Sequence, residues 1–224
     1  MELKGNLDLN RYEWASEKIK NISREQNGQD VSLFDIGSRD NILTAYLPVV
    51  PLSYKGFDLD PIDPVSEKWN IEKTFPYTYN PASVIALLEV IEHLNNPSLC
   101  LKNVSDILKP GGYLILTTPN PKWSTSRLNL FATGELTCFT KSDLDLNHHV
   151  FTPWGHIVEK ILIDSGFEIV EYVTLDGKTK IFDRTLLKGN ILKKLIARII
   201  KKLIESRDPS SCGMSYGVVA KKRS

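Results

Sequence analysis

The stretch Ala82–Leu88, ASVIALL, is apolar at both parities apart from one serine, and it constrains the fold more than any other segment. Successive side chains of a strand point to opposite faces, so a run apolar on both needs cover on both. A sheet with one face in water cannot supply that. The segment therefore reads as a buried strand of a largely parallel sheet, with helices on either side.

The rest of the chain supplies strands and helices in alternation. Residues 11–22 read as a short helix with Trp14, Ile19 and Ile22 on one face, broken by NGQD. VSLFDIG and YKGFD are short strands, KWNIE is a weaker third, and ASVIALL is the fourth. A helix is expected from Ser98, with Leu101, Val104 and Leu108 facing a core, and LKPGG stops it through Pro110 and a left-handed Gly111 or Gly112. YLILTTPNP, the helix PWGHIVEKILIDSGF, and the strands EIVEYVTL and YGVVAKK complete one doubly wound α/β domain over residues 1–224. Residues 122–147 and 176–213 exceed what such a core needs and are expected to form lid elements.

Composition narrows the partners. Lys and Arg total 28 against 27 Asp and Glu, a net charge of +1, so no basic excess points to a nucleic-acid partner. Cys100, Cys138 and Cys212 are scattered and odd in number, which suits a reducing compartment better than a disulfide framework or a cysteine zinc site. The opening MELKGNLDLNRYEW is polar where a secretory signal would be apolar, and no uncharged run reaches bilayer length. A cytoplasmic protein is expected.

Ligands of a doubly wound sheet bind beyond the carboxyl ends of its strands. There the first strand ends in DIGSRDN, the second in Asp58, the third in Asn70 and the fourth in Leu88 and Glu89. A single glycine in place of GxGxxG disfavours a dinucleotide pyrophosphate, and with it a nicotinamide oxidoreductase. Asp58 is placed to accept from ribose hydroxyls. A ligand with a ribose and no pyrophosphate fits better.

FDIGSRDN, YKGFDLDP, LLEVIEHLNNP, LKPGGYLILTTPNP, HHVFTP and DSGF occur in the order seen in class I S-adenosylmethionine-dependent methyltransferases, and over about residues 11–173 plus the final strand the chain resembles that family. It is most similar to the broad group that includes ubiquinone-pathway O-methyltransferases and methyltransferases of glycan and natural-product clusters. The resemblance implies a Rossmann-like, mostly parallel seven-stranded sheet with an antiparallel last strand. It implies S-adenosylmethionine as cofactor and methylation, most readily at oxygen, of a small-molecule, quinone-like or glycan acceptor. By position, Gly37 and Ser38 would lie beside the methionine part, with Asp35 supporting the loop. Asp58 would bind the ribose, Leu59 the adenine face, Asn70 and Ile71 the adenine edge, and Leu88 would close the pocket from beneath. The sequence departs from the pattern at Arg39 and Asn41, where the family often has small residues, usually glycine at the second position, and at Ala82 and Ser83, where the family usually has Phe-Asp. The 58–69 stretch is also too short for a full helix. These departures keep a non-catalytic cofactor-binding scaffold as the alternative.

If a helix starts at Glu89, then Glu89, Glu92 and His93 share one face at i, i+3 and i+4, and the resemblance implies that the loop bearing His148 and His149 arrives opposite. His93, Glu92 and His149 are the candidate catalytic groups. Glu89, Glu92, His93 and His149 together form an oxygen–nitrogen set suited to Mg²⁺ or Mn²⁺, and the E-x-x-E-H spacing is similar to the metal site of small-RNA 3′-end 2′-O-methyltransferases. The plainer reading is that Glu92 and His93 brace the local loop, with His93 at most a metal-free base. His156, inside a helix, reads as structural. Trp123, Tyr77, Tyr79, Phe131 and Phe139 lie on connections and either pack there or line an acceptor pocket.

Residues 190–205, NILKKLIARIIKKLIE, form the most amphipathic segment. The expected role is a core-packed stripe with a solvated cationic face. The other reading is peripheral contact with an anionic membrane.

Overall fold

Eight strands build one sheet in the computed structural model of the chain, which describes residues 1–26, 30–177 and 191–223. In chain order they are β1 (Gly5–Asn6), β2 (Val31–Ile36), β3 (Leu52–Asp58), β4 (Glu67–Lys68), β5 (Ala82–Leu88), β6 (Leu108–Pro119), β7 (Phe167–Leu175) and β8 (Ser215–Lys222). They lie side by side as β1-β7-β8-β6-β5-β2-β3-β4. Only the two pairings made by β8 are antiparallel. The count is eight rather than seven because the two-residue β1 adds to the β7 edge.

The helices are α1 (Arg11–Glu25), α2 (Pro97–Ile107), α3 (Ser124–Thr133), α4 (Lys141–Asn147), α5 (Gly155–Asp164) and α6 (Ile191–Arg207). Strand β5 is buried along its whole length, and its parity sorts its side chains. Ile85 and Leu87 join Leu101 and Val104 of α2 and Val158 and Leu162 of α5. Val84, Ala86 and Leu88 join Trp14, Ile19 and Ile22 of α1. Cutting Ile85 or Leu87 to alanine would cost about 2–5 kcal/mol. A capping box starts α1: Asn10 Oδ1 accepts from Glu13 N at 3.0 Å, and Glu13 Oε2 accepts from Asn10 N at 2.9 Å. The helix runs past residue 22 to Glu25; most of the NGQD break lies outside the described residues.

Two expected boundaries shift. KWNIE contributes only Lys68 to the sheet, paired in β4 with the preceding Glu67, because Asn70 Oδ1 accepts from Glu72 N at 2.9 Å and turns the chain. LKPGG does not form a loop between α2 and the next strand: β6 begins at Leu108, directly after α2. Gly111 has the left-handed φ of 72° within the irregular start of that strand, where Pro110 has no N–H to give a ladder. Residues 122–147 fold as α3 and α4. Of residues 176–213, positions 178–190 lie outside the described residues; α6 and a 3₁₀ turn, Pro209–Ser211, occupy most of the rest.

Strand order reverses between β2 and β5, since the chain leaves β2 for β3 on one side and β5 for β6 on the other. The carboxyl ends of these strands define the crevice where a ligand of this architecture binds.

Candidate active site

After β2 the chain turns through Gly37 at φ 80°, Arg39 at φ 39° and Asn41 at φ 55°. Arg39 and Asn41, which stand where the family often has small residues, both keep a left-handed backbone. Asparagine tolerates it, whereas arginine pays about 1–2 kcal/mol. The loop is pinned to β3. Gly37 N and Ser38 N donate to Phe57 O at 2.8 and 3.1 Å, and Arg39 N donates to Asp58 Oδ2 at 3.0 Å. Asp58 Oδ1 accepts from Asp60 N at 2.8 Å. A carboxylate has about four lone-pair directions, so Asp58 retains capacity for ribose hydroxyls. Gly37 and Leu59 are exposed at this edge.

Beneath the loop, Tyr54 Oη lies 2.9 Å from Asp35 Oδ2 and 2.7 Å from Asn41 Oδ1. A phenol has one proton for two acceptors. Burial pushes the Asp35 carboxyl up to about 7, so a proton on the acid can serve as the second donor of this contact. The chain of contacts continues from Asn41 Oδ1 to Ser66 Oγ at 2.9 Å and on to Ser38 Oγ at 2.9 Å. Asp35 thus supports the loop as a buried acid that burial keeps hard to ionise.

Beyond β5, Glu89 takes a left-handed φ of 56°, and only Ile91–His93 form a 3₁₀ turn. The expected helix from Glu89 is absent, so Glu89 does not share a face with Glu92 and His93. Those two meet His149 instead: one ligand atom from each of the three lies within 4.8 Å of the others. The His93 and His149 rings have centroids 4.8 Å apart. His149 Nδ1 contacts the Cys138 carbonyl. A carbonyl only accepts, so Nδ1 carries the proton and the Nε2 lone pair is left for other work. Burial first, and the neighbouring His149 second, hold the His93 pKa below 6.5. Glu92 is buried and accepts from Thr118 Oγ1 at 2.9 Å; its pKa is well raised, by burial and then by Glu89. His148 caps α4 and is exposed, so of the histidine pair only His149 enters the group. His156 is exposed near Trp154.

Glu89 lies apart from this group. Burial raises it to about 7 against the pull of the Arg11 guanidinium. Glu89 Oε1, Thr117 Oγ1 and Arg11 Nε are buried without a hydrogen-bond partner among the described residues. Arg11 and Tyr54 were not legible as site residues: one opens a helix and the other sits mid-strand. Thr117 and Thr118 gave a signal, a polar pair at the end of an apolar strand.

The remaining candidates divide. Leu88 and Ile71 are buried in the two cores, while Asn70 is half-buried with its side chain on the Glu72 N–H. Tyr77 and Tyr79 pack around Phe57 and Phe75. Trp123 is buried, Phe139 touches His149 and Phe131 is exposed.

Comparison with known proteins bears on this site. A family model described as a methyltransferase domain matches residues 8–172. No protein of curated function matches the chain significantly. Among solved structures, a SAM-dependent methyltransferase from Archaeoglobus fulgidus is 17% identical, with a TM-score of 0.59 over 92% of this chain and 94% of that one. The N-methyltransferase NodS from Bradyrhizobium japonicum WM9 is 15% identical, with a TM-score of 0.53 over 97% and 100%. The [4+2]-cyclase SpnF is 13% identical, with a TM-score of 0.55 over 93% and 81%. At these identities the structures speak for the fold alone.

Proposed function

We infer the reaction from one premise, that this chain belongs to the S-adenosylmethionine-dependent methyltransferases. The reading is methyl transfer to an oxygen of a small-molecule, quinone-like or glycan acceptor, with no role for nucleic acid. When bound, S-adenosylmethionine supplies a methyl group already activated on a sulfonium centre. Gly37 and Ser38 would flank its methionine part, Asp58 would take the ribose hydroxyls, and Leu59, Asn70 and Ile71 would meet the adenine over Leu88. The orphaned atoms support the fit. Arg11 Nε is a donor and Glu89 Oε1 an acceptor, the complements of an α-carboxylate and an α-ammonium.

The observation that carries the oxygen assignment is the grouping of Glu92, His93 and His149. The chain just before it meets the loop after β2: a Cβ on Gly37 would come 2.3 Å from Cγ2 of Val90, two residues before Glu92. A hydroxyl acceptor has to lose a proton, and a neutral imidazole of depressed pKa is ready to take it at neutral pH. His93 is that base in our reading, with His149 beside it and Glu92 fixing the turn from below.

The same three side chains favour a second reading, a divalent ion such as Mg²⁺ or Mn²⁺ held by Glu92, His93 and His149. Two imidazoles and one carboxylate suit Mn²⁺ or another transition ion better than Mg²⁺, which prefers oxygen donors, and His149 is oriented through its other nitrogen as metal-bound histidines usually are. Glu89 is not in this set. The ion would lower the pKa of a vicinal diol or catechol hydroxyl. Methyl transfer to a panel of catechols, hydroxyquinones and sugars, before and after exhaustive chelation with Mg²⁺ or Mn²⁺ added back, separates the readings. Full activity in chelator leaves the imidazole base, and loss restored by the ion establishes the metal. Cofactor binding without turnover on any acceptor would favour the scaffold that Arg39 and Asn41 keep open.

A further inference from the structure

Helix α6 meets the protein through Lys201 and Glu205, with Ala197 and Ile204 half-buried on the same side, and turns a broad aliphatic arc to water. Glu205 accepts from Ser124 Oγ, and Lys201 Nζ stands 5.8 Å from the Trp123 ring centroid. Just past the helix, Asp208 pairs with Arg127 at 3.0 Å. On the opposite side Leu195, Ile199 and Leu203 are 53%, 51% and 53% exposed, with Ile196 and Ile200 beside them. At 3.6 residues per turn these five lie in an arc of about 140°. The periodicity read as a core stripe is present, and it faces outward.

A contiguous aliphatic face in water marks a surface that something covers. Its rim says what kind. Arg198 and Lys202 border one edge of the arc, Arg207 stands within it at the C-terminal end of the helix, and all three are exposed. The acid on this turn of the helix, Glu205, is directed inward to Ser124. A second copy is a poor occupant, because an isologous contact would bring two cationic rims together. An anionic lipid surface matches both features, the aliphatics entering the headgroup–acyl boundary and the cations meeting lipid charge. Among the described residues no helix is long and apolar enough to cross a membrane, so the contact is peripheral. On α3, which packs against α6, Phe131 is 94% exposed.

We propose that the outward face of α6, Leu195, Ile196, Ile199, Ile200 and Leu203 rimmed by Arg198, Lys202 and Arg207, docks the protein on anionic membrane surfaces. Co-sedimentation of the full chain with phosphatidylcholine vesicles, with and without phosphatidylglycerol, tests this without cofactor or acceptor, so the result is independent of methyl transfer. Binding is expected to the anionic vesicles only and to fall with salt. It should drop about fivefold per charge in Arg198→Gln and Lys202→Gln and vanish in Ile199→Asp/Leu203→Asp. That double variant should keep its circular dichroism and melting temperature, because Ile199 and Leu203 are half exposed and join neither hydrophobic core among the described residues. Equal, negligible binding to both vesicles overturns the proposal, as does anionic binding that survives the double substitution. A stable dimer that the double substitution makes monomeric would overturn it in favour of a second copy.

Discussion

The imidazoles of His93 and His149, one in a turn after the central strand and the other in a loop after α4, lie with ring centroids 4.8 Å apart. Two such rings resist joint protonation, and burial adds to the effect on His93. Activity should therefore rise with pH along a limb below 6.5, the unperturbed value, and be flat at neutrality. His93→Ala should lose about 10²–10⁴ in kcat. In His149→Ala the neighbouring charge is gone, so the limb of the residual activity should move to higher pH. A limb that stays put contradicts the coupling.

Asp35 gives the stability its own pH dependence. Its carboxyl rises from 3.8 to about 7 on folding, because burial disfavours the charge. Between those values the unfolded chain has lost the proton and the folded chain retains it. Stability from this group is full below pH 3.8 and is lost as pH climbs to about 7. Asp35→Asn cannot titrate and should remove up to roughly 4 kcal/mol of that slope. Urea unfolding of both proteins at pH 4.5 and 7.5 measures it; identical slopes would show Asp35 ionised in the fold.

The loop network predicts intolerance at Gly56. A Cβ there would lie 2.4 Å from Ser66 Oγ, 2.7 Å from Asn41 Oδ1 and 2.8 Å from Ser38 Oγ. Gly56→Ala should destabilise by about 1–3 kcal/mol and weaken cofactor binding with it. Removing the nearest hydroxyl in Gly56→Ala/Ser66→Ala should recover part of the loss. Additive thermal shifts for the two substitutions would mean that the contact is not the cause.

How much of this was legible varied with the kind of signal. The apolar strand Ala82–Leu88 was read with its bounds correct, because burial on both faces leaves little choice of composition. Asp58 at the end of its strand followed from strand order, and the meeting of Glu92, His93 and His149 from the family resemblance, which brings the histidine loop to the end of the fourth strand. Glu89 was misplaced because a left-handed residue at φ 56° breaks the helical spacing, and glutamate gives no warning of it. The apolar stripe of α6 was recognised and its direction misjudged: periodicity reports that a helix has two faces and is silent on which one meets the protein. Arg11 and Tyr54 act through tertiary contacts that no local pattern encodes.

The central claim is a cofactor site organised by Asp58, and calorimetric titration of S-adenosylmethionine into wild-type and Asp58→Ala protein tests it most directly. Losing a charge-assisted hydrogen-bond partner of the ribose is worth about 1.5–3 kcal/mol. The wild type should bind saturably, and the variant roughly ten- to over a hundredfold more weakly, with its fold intact by circular dichroism. No binding by the wild type at high micromolar cofactor, or equal affinity in a folded Asp58→Ala protein, would contradict the account.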